Sequence, residues 1–196
     1  PDTLPFRRAV RQWLQDNLDE ELRGQSNRGA LTVEQLDALR RWNRKLADAG
    51  YAAISWPAEY GGRGMHPEFQ RIATRIMKKD DSPIMLHAIG NGWAGPLILD
   101  IGSEEQKKRY IKPMLAAEEI WCQGFSEPEN GSDLGNAQTR AVRDGDEYVV
   151  NGSKIWTSLG DRAHMMILLA RTNPDAPNKY AGLSFFLSPM RIPGIE

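Results

Sequence analysis

Apolar residues in the first half of the chain recur every three or four positions, the period of a helix with one buried face. Over residues 5–22 the stripe is Phe6, Val10, Trp13, Leu14 and Leu18, and a polar break bounded by Gly24 and Gly29 follows. Thr32 with Gln35 three residues on has the capping-box pattern, so a second helix is predicted from there. Its face carries Val33, Leu36, Leu39, Leu46 and Ala47, and Gly50 is a natural stop. Residues 51–64 are crowded with turn formers and read as a loop. A third helix is predicted over 67–79, with Phe69, Ile72, Ile76 and Met77 on one side. Residues 83–101 are apolar on most faces, which predicts a central, buried helix. Ser103-Glu104-Glu105-Gln106 is another capping box, opening a helix through Tyr110 and Ile111 toward Leu115.

After Glu119 the period changes. Residues 121–126 form a short apolar segment ending in a turn cluster. Residues 136–142 and 147–150 flank Asp144-Gly145, a hairpin signal. Further strands are predicted over 154–157, 165–171 and 183–187. Helices first and strands second imply an α+β fold: a helical domain over 1–119, then the first part of an antiparallel β-domain over 120–196. The β part still reads as adding strands where the sequence stops at Glu196, and the opening at Pro1 without a methionine reads as a trimmed terminus without a signal peptide.

Composition narrows the function classes. With 25 basic and 26 acidic residues the formal net charge is -1, which gives no electrostatic reason to expect nucleic acid or an anionic membrane as partner. The apolar stretch at 165–170 is too short to span a bilayer. Cys122 is the only cysteine, so intramolecular disulfides and multi-thiolate zinc sites are excluded and a reducing, cytoplasmic setting is expected. His66, His87 and His164 are scattered without ligand spacing and read as structural or surface residues.

Two segments could carry chemistry. Ser126-Glu127-Pro128-Glu129-Asn130-Gly131-Ser132-Asp133 is a turn able to present backbone N–H groups and hydroxyls to an anionic or carbonyl-bearing ligand. The plainer alternative is a loop whose Ser and Asp bond their own backbone. In Lys154-Ile155-Trp156-Thr157-Ser158, an aromatic beside hydroxyls could flank a planar cofactor, the alternative being a core Trp on a strand. Glu127 and Asp133 are acids that could serve as general bases, but nothing in the sequence desolvates them. Neither glycine cluster has Rossmann or Walker spacing.

Four motifs in order resemble the acyl-CoA dehydrogenase family. They are Pro57-Ala58-Glu59-Tyr60-Gly61-Gly62-Arg63-Gly64, then Gly102-Ser103-Glu104-Glu105-Gln106-Lys107-Lys108-Arg109-Tyr110, then the Ser126 to Asp133 turn, and finally Asn151-Gly152-Ser153-Lys154-Ile155-Trp156-Thr157-Ser158. The resemblance covers essentially the whole chain. It implies an N-terminal helical domain joined to part of the middle β-domain, and FAD as cofactor. The implied cofactor-binding residues are Gln123, Phe125, Ser126, Gly131, Ser132, Trp156, Thr157 and Ser158, with Ser132 also touching the acyl-CoA substrate. The implied reaction is α,β-dehydrogenation to the trans-2-enoyl-CoA, with electrons passed to an electron-transferring flavoprotein. Homo- or hetero-oligomers are implied too, and the mitochondrial matrix replaces the cytoplasm if the source is eukaryotic. A flavin oxidase or monooxygenase on the same fold, or a non-catalytic partner subunit or remnant, are the alternatives. Trp-Thr-Ser stands where many members have Trp-Ile-Thr, and Glu129-Asn130 where Gly-Ala is common. The family's catalytic glutamate lies in a C-terminal helical domain to which nothing here corresponds, so no catalytic residue is expected within these residues.

Overall fold

A computed structural model describes residues 2–25, 30–83 and 85–196. The chain divides into two compact units, 1–119 and 120–196.

The first unit is helical. α1 (Leu4–Asn17) buries Val10 and Leu14 and gives way to a 3-10 turn at Glu20–Leu22, so the predicted helix over 5–22 breaks at its last turn. α2 (Val33–Asp48) has both reciprocal bonds of its capping box, Gln35 N to Thr32 Oγ1 at 3.2 Å and Thr32 N to Gln35 Oε1 at 2.9 Å. Its buried face is Leu39, Trp42, Asn43 and Leu46; Val33, in the first turn, is exposed instead. Asn43 is fully buried yet satisfied: Nδ2 donates to Leu39 O at 2.7 Å and Oδ1 accepts from Leu86 N at 3.1 Å, which ties α2 to the segment before α4. α3 (Pro67–Lys79) keeps the predicted bounds, with the His66 Nδ1 accepting from Glu68 N at its start. The polar break at 24–29 lies outside the described residues from 26 onward.

The predicted helix over 83–101 is the main correction in this unit. A five-residue π-turn, Gly90–Ala94, precedes α4 (Gly95–Ile101), and Trp93 and Ile101 are exposed. Pro96 offers no N–H and its ring would press on the carbonyl four residues back, which the wider π-turn relieves. The glycines decide how closely neighbours approach: a Cβ on Gly90 would stand 2.6 Å from Met114 Cγ, and one on Gly95 would stand 2.2 Å from Trp56 Cη2. α5 (Glu104–Leu115) opens on the second capping box, Ser103 with Gln106, and buries Ile111, Met114 and Leu115.

The second unit is a five-stranded sheet: β1 (Trp121–Gly124), β2 (Arg140–Asp144), β3 (Glu147–Asn151), β4 (Met165–Arg171) and β5 (Leu183–Pro189). β4 is central and buried on both faces, which is why its sequence is apolar without alternation. The expected antiparallel pairing holds for β2–β3 and β4–β5; β1–β4 and the single β2–β4 contact are parallel, made possible by the long excursion between β1 and β4. The hairpin turn falls on Gly145 and Asp146, between the paired Asp144 and Glu147, with Gly145 at φ 61°.

Two predicted strands are corrected. Residues 136–139 are not strand: a 3-10 turn ends at Asn136, and the Gln138 and Thr139 amides bond a side chain rather than a neighbouring strand. Residues 154–157 are not strand either, because Trp156 takes a left-handed φ of 56°.

Candidate functional site

The two motifs singled out in the sequence meet at the end of β1. β1 delivers Gln123 and Gly124, and the chain runs on through Phe125 and Ser126 into the turn. Gly124 lies so close to β4 that a Cβ would stand 2.6 Å from Met166 Sδ, and Phe125 packs on Phe185 of β5 at 5.6 Å between ring centroids. The turn closes on itself through Glu127 N to Asn130 O at 2.9 Å and Asn130 N to Glu127 O at 3.1 Å. Ile155 N donates to Ser126 O at 2.9 Å, so the 154–158 segment is laid against the mouth of the turn by the backbone itself.

A buried ion pair fastens this junction. Lys154 Nζ donates to Glu127 Oε1 at 2.8 Å and to Phe125 O at 3.1 Å. The Glu127 carboxylate also accepts from Gln138 N at 2.6 Å and Thr139 N at 2.8 Å. The side chains are only 9% and 5% exposed, unlike the other ion pairs among the described residues, each of which has a far more exposed member. Burial alone would raise the Glu127 pKa, but the bonds from Lys154 and the two amides outweigh it and hold the carboxyl down at about 2. Burial pulls the Lys154 pKa down, opposed by Glu127. A carboxylate held so firmly ionised is a poor proton acceptor, so Glu127 serves structure rather than general-base chemistry. Asp133 is also engaged, accepting from Asn136 Nδ2 at 2.7 Å and from Lys179 Nζ at 2.7 and 2.9 Å.

Around this junction the expected site residues are disposed unevenly. Trp156 is 83% exposed, an indole left in solvent by a strained backbone rather than buried in the core. Ser158 N bonds back to Trp156 O at 2.8 Å, closing a three-residue turn over Thr157. The Gln123 side-chain oxygen is buried without a hydrogen-bond partner among the described residues. Ser126, Ser132, Thr157 and Ser158 make no side-chain hydrogen bond there either. Gly131 and Ser132 sit in the exposed part of the turn, and a Cβ on Gly131 would meet nothing within 4 Å. Thus Phe125, Ser126 and the Trp156 segment are brought together, whereas Gly131 and Ser132 are not bonded to it. A cavity of about 770 Å³ opens beside this junction, lined by Thr139, Lys154 and Thr157 together with Tyr148 and Met190; of the eight expected site residues only Thr157 lines it.

Lys154 and Thr139 were not among the expected site residues. Lys154 stands in a segment that the sequence singled out, but no local pattern pairs it or Thr139 with Glu127, which lies 27 and 12 residues away along the chain. Of the histidines, His66 and His164 accept backbone N–H bonds, while His87 is fully buried with neither ring nitrogen hydrogen-bonded among the described residues. Among the described residues no three His, Cys, Asp or Glu side chains gather as a metal site, and no helix is long and apolar enough to cross a membrane.

Comparison with known proteins agrees with the four motifs. The family description "Acyl-CoA dehydrogenase, N-terminal domain" matches residues 1–118, and "Acyl-CoA dehydrogenase, middle domain" matches residues 122–196. Acyl-CoA dehydrogenase IpdE1 of Mycobacterium tuberculosis is 37% identical over 198 aligned positions, covering 100% of this chain and 51% of that protein. The human mitochondrial short-chain specific acyl-CoA dehydrogenase is 36% identical, over 78% of this chain and 37% of its own length. Among solved structures, the ChsE4-ChsE5 complex from Mycobacterium tuberculosis aligns with a TM-score of 0.79 at 32% identity, covering 97% of this chain and 47% of that one. The Tcur3481-Tcur3483 steroid ACAD aligns at 0.77 and 32%, covering 94% and 47%. The chain spans about half the length of IpdE1. With both domain descriptions matched in order and the helices-then-strands architecture in place, the chain belongs to the acyl-CoA dehydrogenase family.

Proposed function

We propose that the protein is an FAD-dependent oxidoreductase that dehydrogenates an acyl-CoA thioester to the trans-2-enoyl-CoA, with these residues supplying one wall of the flavin site. The observation that supports this best is Trp156: a large indole, 83% exposed, held out of any core by a left-handed backbone and followed directly by Thr157 and Ser158, whose hydroxyls have no partner among the described residues. Together with the orphaned Gln123 oxygen, these groups suit a planar ring bearing hydrogen-bonding heteroatoms. Gln123, Phe125, Ser126, Gly131, Ser132, Trp156, Thr157 and Ser158 would hold FAD, and Ser132 would also meet the thioester. The bound flavin supplies the hydride acceptor for the substrate's β hydrogen. The chain's part is to orient the ring, exclude water from it and keep the acyl group in line.

The base that removes the α proton is proposed to lie in a C-terminal helical domain following 1–119 and 120–196, since Glu127 is committed to Lys154. Electrons would pass to an electron-transferring flavoprotein, in the cytoplasm or, in a eukaryote, the mitochondrial matrix. A second reading has the enzyme assembled from two unlike chains, as the names ChsE4-ChsE5 and Tcur3481-Tcur3483 indicate for those proteins. The steroid in the latter name makes a bulky, ring-bearing acyl-CoA the first substrate to try.

The test is to purify the full-length protein, record its visible spectrum, and titrate it anaerobically with acyl-CoA thioesters. Bound flavin bleached by a thioester is the expected result. A protein that neither carries nor takes up FAD would sink the proposal, and peroxide formed during aerobic turnover would favour an oxidase.

A further inference from the structure

We infer that Glu127 and Lys154 are positioning residues for the flavin site: one buried ion pair sets the Ser126–Ser132 turn and the Trp156–Ser158 turn relative to each other. The inference rests on the flavin reading above and adds to it a cause for the geometry.

The pair stands where four stretches of chain converge. Lys154 Nζ reaches Phe125 O at the end of β1 and Glu127 Oε1 at the start of the first turn. From the other side, Glu127 takes the Gln138 and Thr139 amides that lead into β2. Lys154 itself lies two residues before Trp156 and next to Ile155, whose N–H bonds Ser126 O. Neither turn has regular secondary structure of its own to fix it. Both begin where a strand ends or is broken: β1 stops at Gly124, and β3 stops at Asn151.

The backbone explains why an anchor is needed. Trp156 sits at φ 56° and Leu159 at φ 68°, a region that side-chain-bearing residues leave unless their surroundings over-determine it. The Trp156 indole is exposed and contributes little packing of its own. What holds the segment is therefore upstream: the Ile155 amide and the Lys154 ammonium, both anchored on the Ser126–Glu127 stretch. A charge pair desolvated to this degree costs much of its own Coulombic gain, so it is weak as a source of stability and better understood as a device that selects one arrangement. Glu127 meets that demand with its carboxylate oxygens filled by the ammonium and two amides, leaving no alternative partner to pull the turn elsewhere.

The experiment uses the full-length holoprotein and its Lys154→Met, Lys154→Arg and Glu127→Gln variants. FAD affinity is read by flavin fluorescence on reconstitution, and ring placement by the visible circular dichroism of the bound flavin. Lys154→Met should weaken FAD binding by about tenfold, the equivalent of one lost charge-assisted hydrogen bond, and should alter the flavin dichroism. Lys154→Arg, which keeps a donor for both Phe125 O and Glu127, should restore both readouts toward wild type. Should Lys154→Met not fold, Glu127→Gln reads the same coupling, since it keeps the oxygen that accepts from a backbone amide and loses the charge that holds Lys154. A folded Lys154→Met or Glu127→Gln with wild-type affinity and dichroism overturns the inference. So does the failure of both to fold, because the pair would then hold the whole unit rather than the turns. A wild-type protein that does not bind FAD fails the flavin reading instead, and the two failures are thereby distinguished.

Discussion

At the scale of single residues, His87 and Glu127 show opposite ways of burying a titratable group. Glu127 is buried ionised, with its charge matched by Lys154 and its oxygens filled by amides. His87 is buried without a hydrogen-bond partner on either nitrogen among the described residues, and burial pushes its pKa down from 6.5 to about 3. The sign of the pH dependence follows. As pH falls below 6.5 the unfolded chain takes up a proton that the folded imidazole refuses, so His87 costs nothing above pH 6.5 and progressively more stability toward pH 3. Glu127 contributes stability above its ordinary 4.5 that is lost as pH falls toward about 2. His87→Leu should therefore flatten the stability of the helical unit between pH 6.5 and 4.5, measured as urea midpoints across that window. An unchanged slope would mean that the imidazole is hydrated in solution.

Elements form here where local signals and packing agree, and deviate where a neighbour intrudes. Both capping boxes are made as the sequence implies, because Thr32 with Gln35 and Ser103 with Gln106 need nothing from the rest of the chain. The stretch before α4 has no such autonomy. Its π-turn accommodates Pro96, and Gly90 and Gly95 leave space for Met114 and Trp56. Gly95→Ala should then lose about 1–3 kcal/mol by overpacking against Trp56, despite alanine's better helix propensity. Gly92→Ala, whose Cβ enters open space, is the control and should be neutral or stabilising by up to about 1 kcal/mol. Equal effects of the two substitutions in denaturant melts would refute the close-approach explanation.

For the molecule as a whole, the chain spans about half of IpdE1, and its own residues match the N-terminal and middle acyl-CoA dehydrogenase domain descriptions. The proposed reaction needs an acceptor for the α proton, and two acids of the candidate site are engaged: Glu127 by Lys154, and Asp133 by Lys179 and Asn136. A protein made of residues 1–196 alone, verified by its 22.1 kDa mass and supplied with FAD, should show no bleaching by acyl-CoA. Bleaching under those conditions would place a working base inside these residues.

The succession of helices and then strands, the bounds of α3 and β4, both caps and the family itself were legible in the sequence, because period, cap spacing and ordered motifs are local properties. Three things were decided only by tertiary structure. Residues 136–139 left the sheet because a 3-10 turn took the first two amides and Glu127 those of Gln138 and Thr139, and residues 154–157 did so because Lys154 and Ile155 were drawn to the Ser126–Glu127 turn. Trp156, for which a place in the core on a strand was the alternative to flanking a cofactor, stands in solvent as a result. In each case the deciding partner lies 11 to 29 residues away along the chain, beyond the reach of any pattern read from neighbours in sequence.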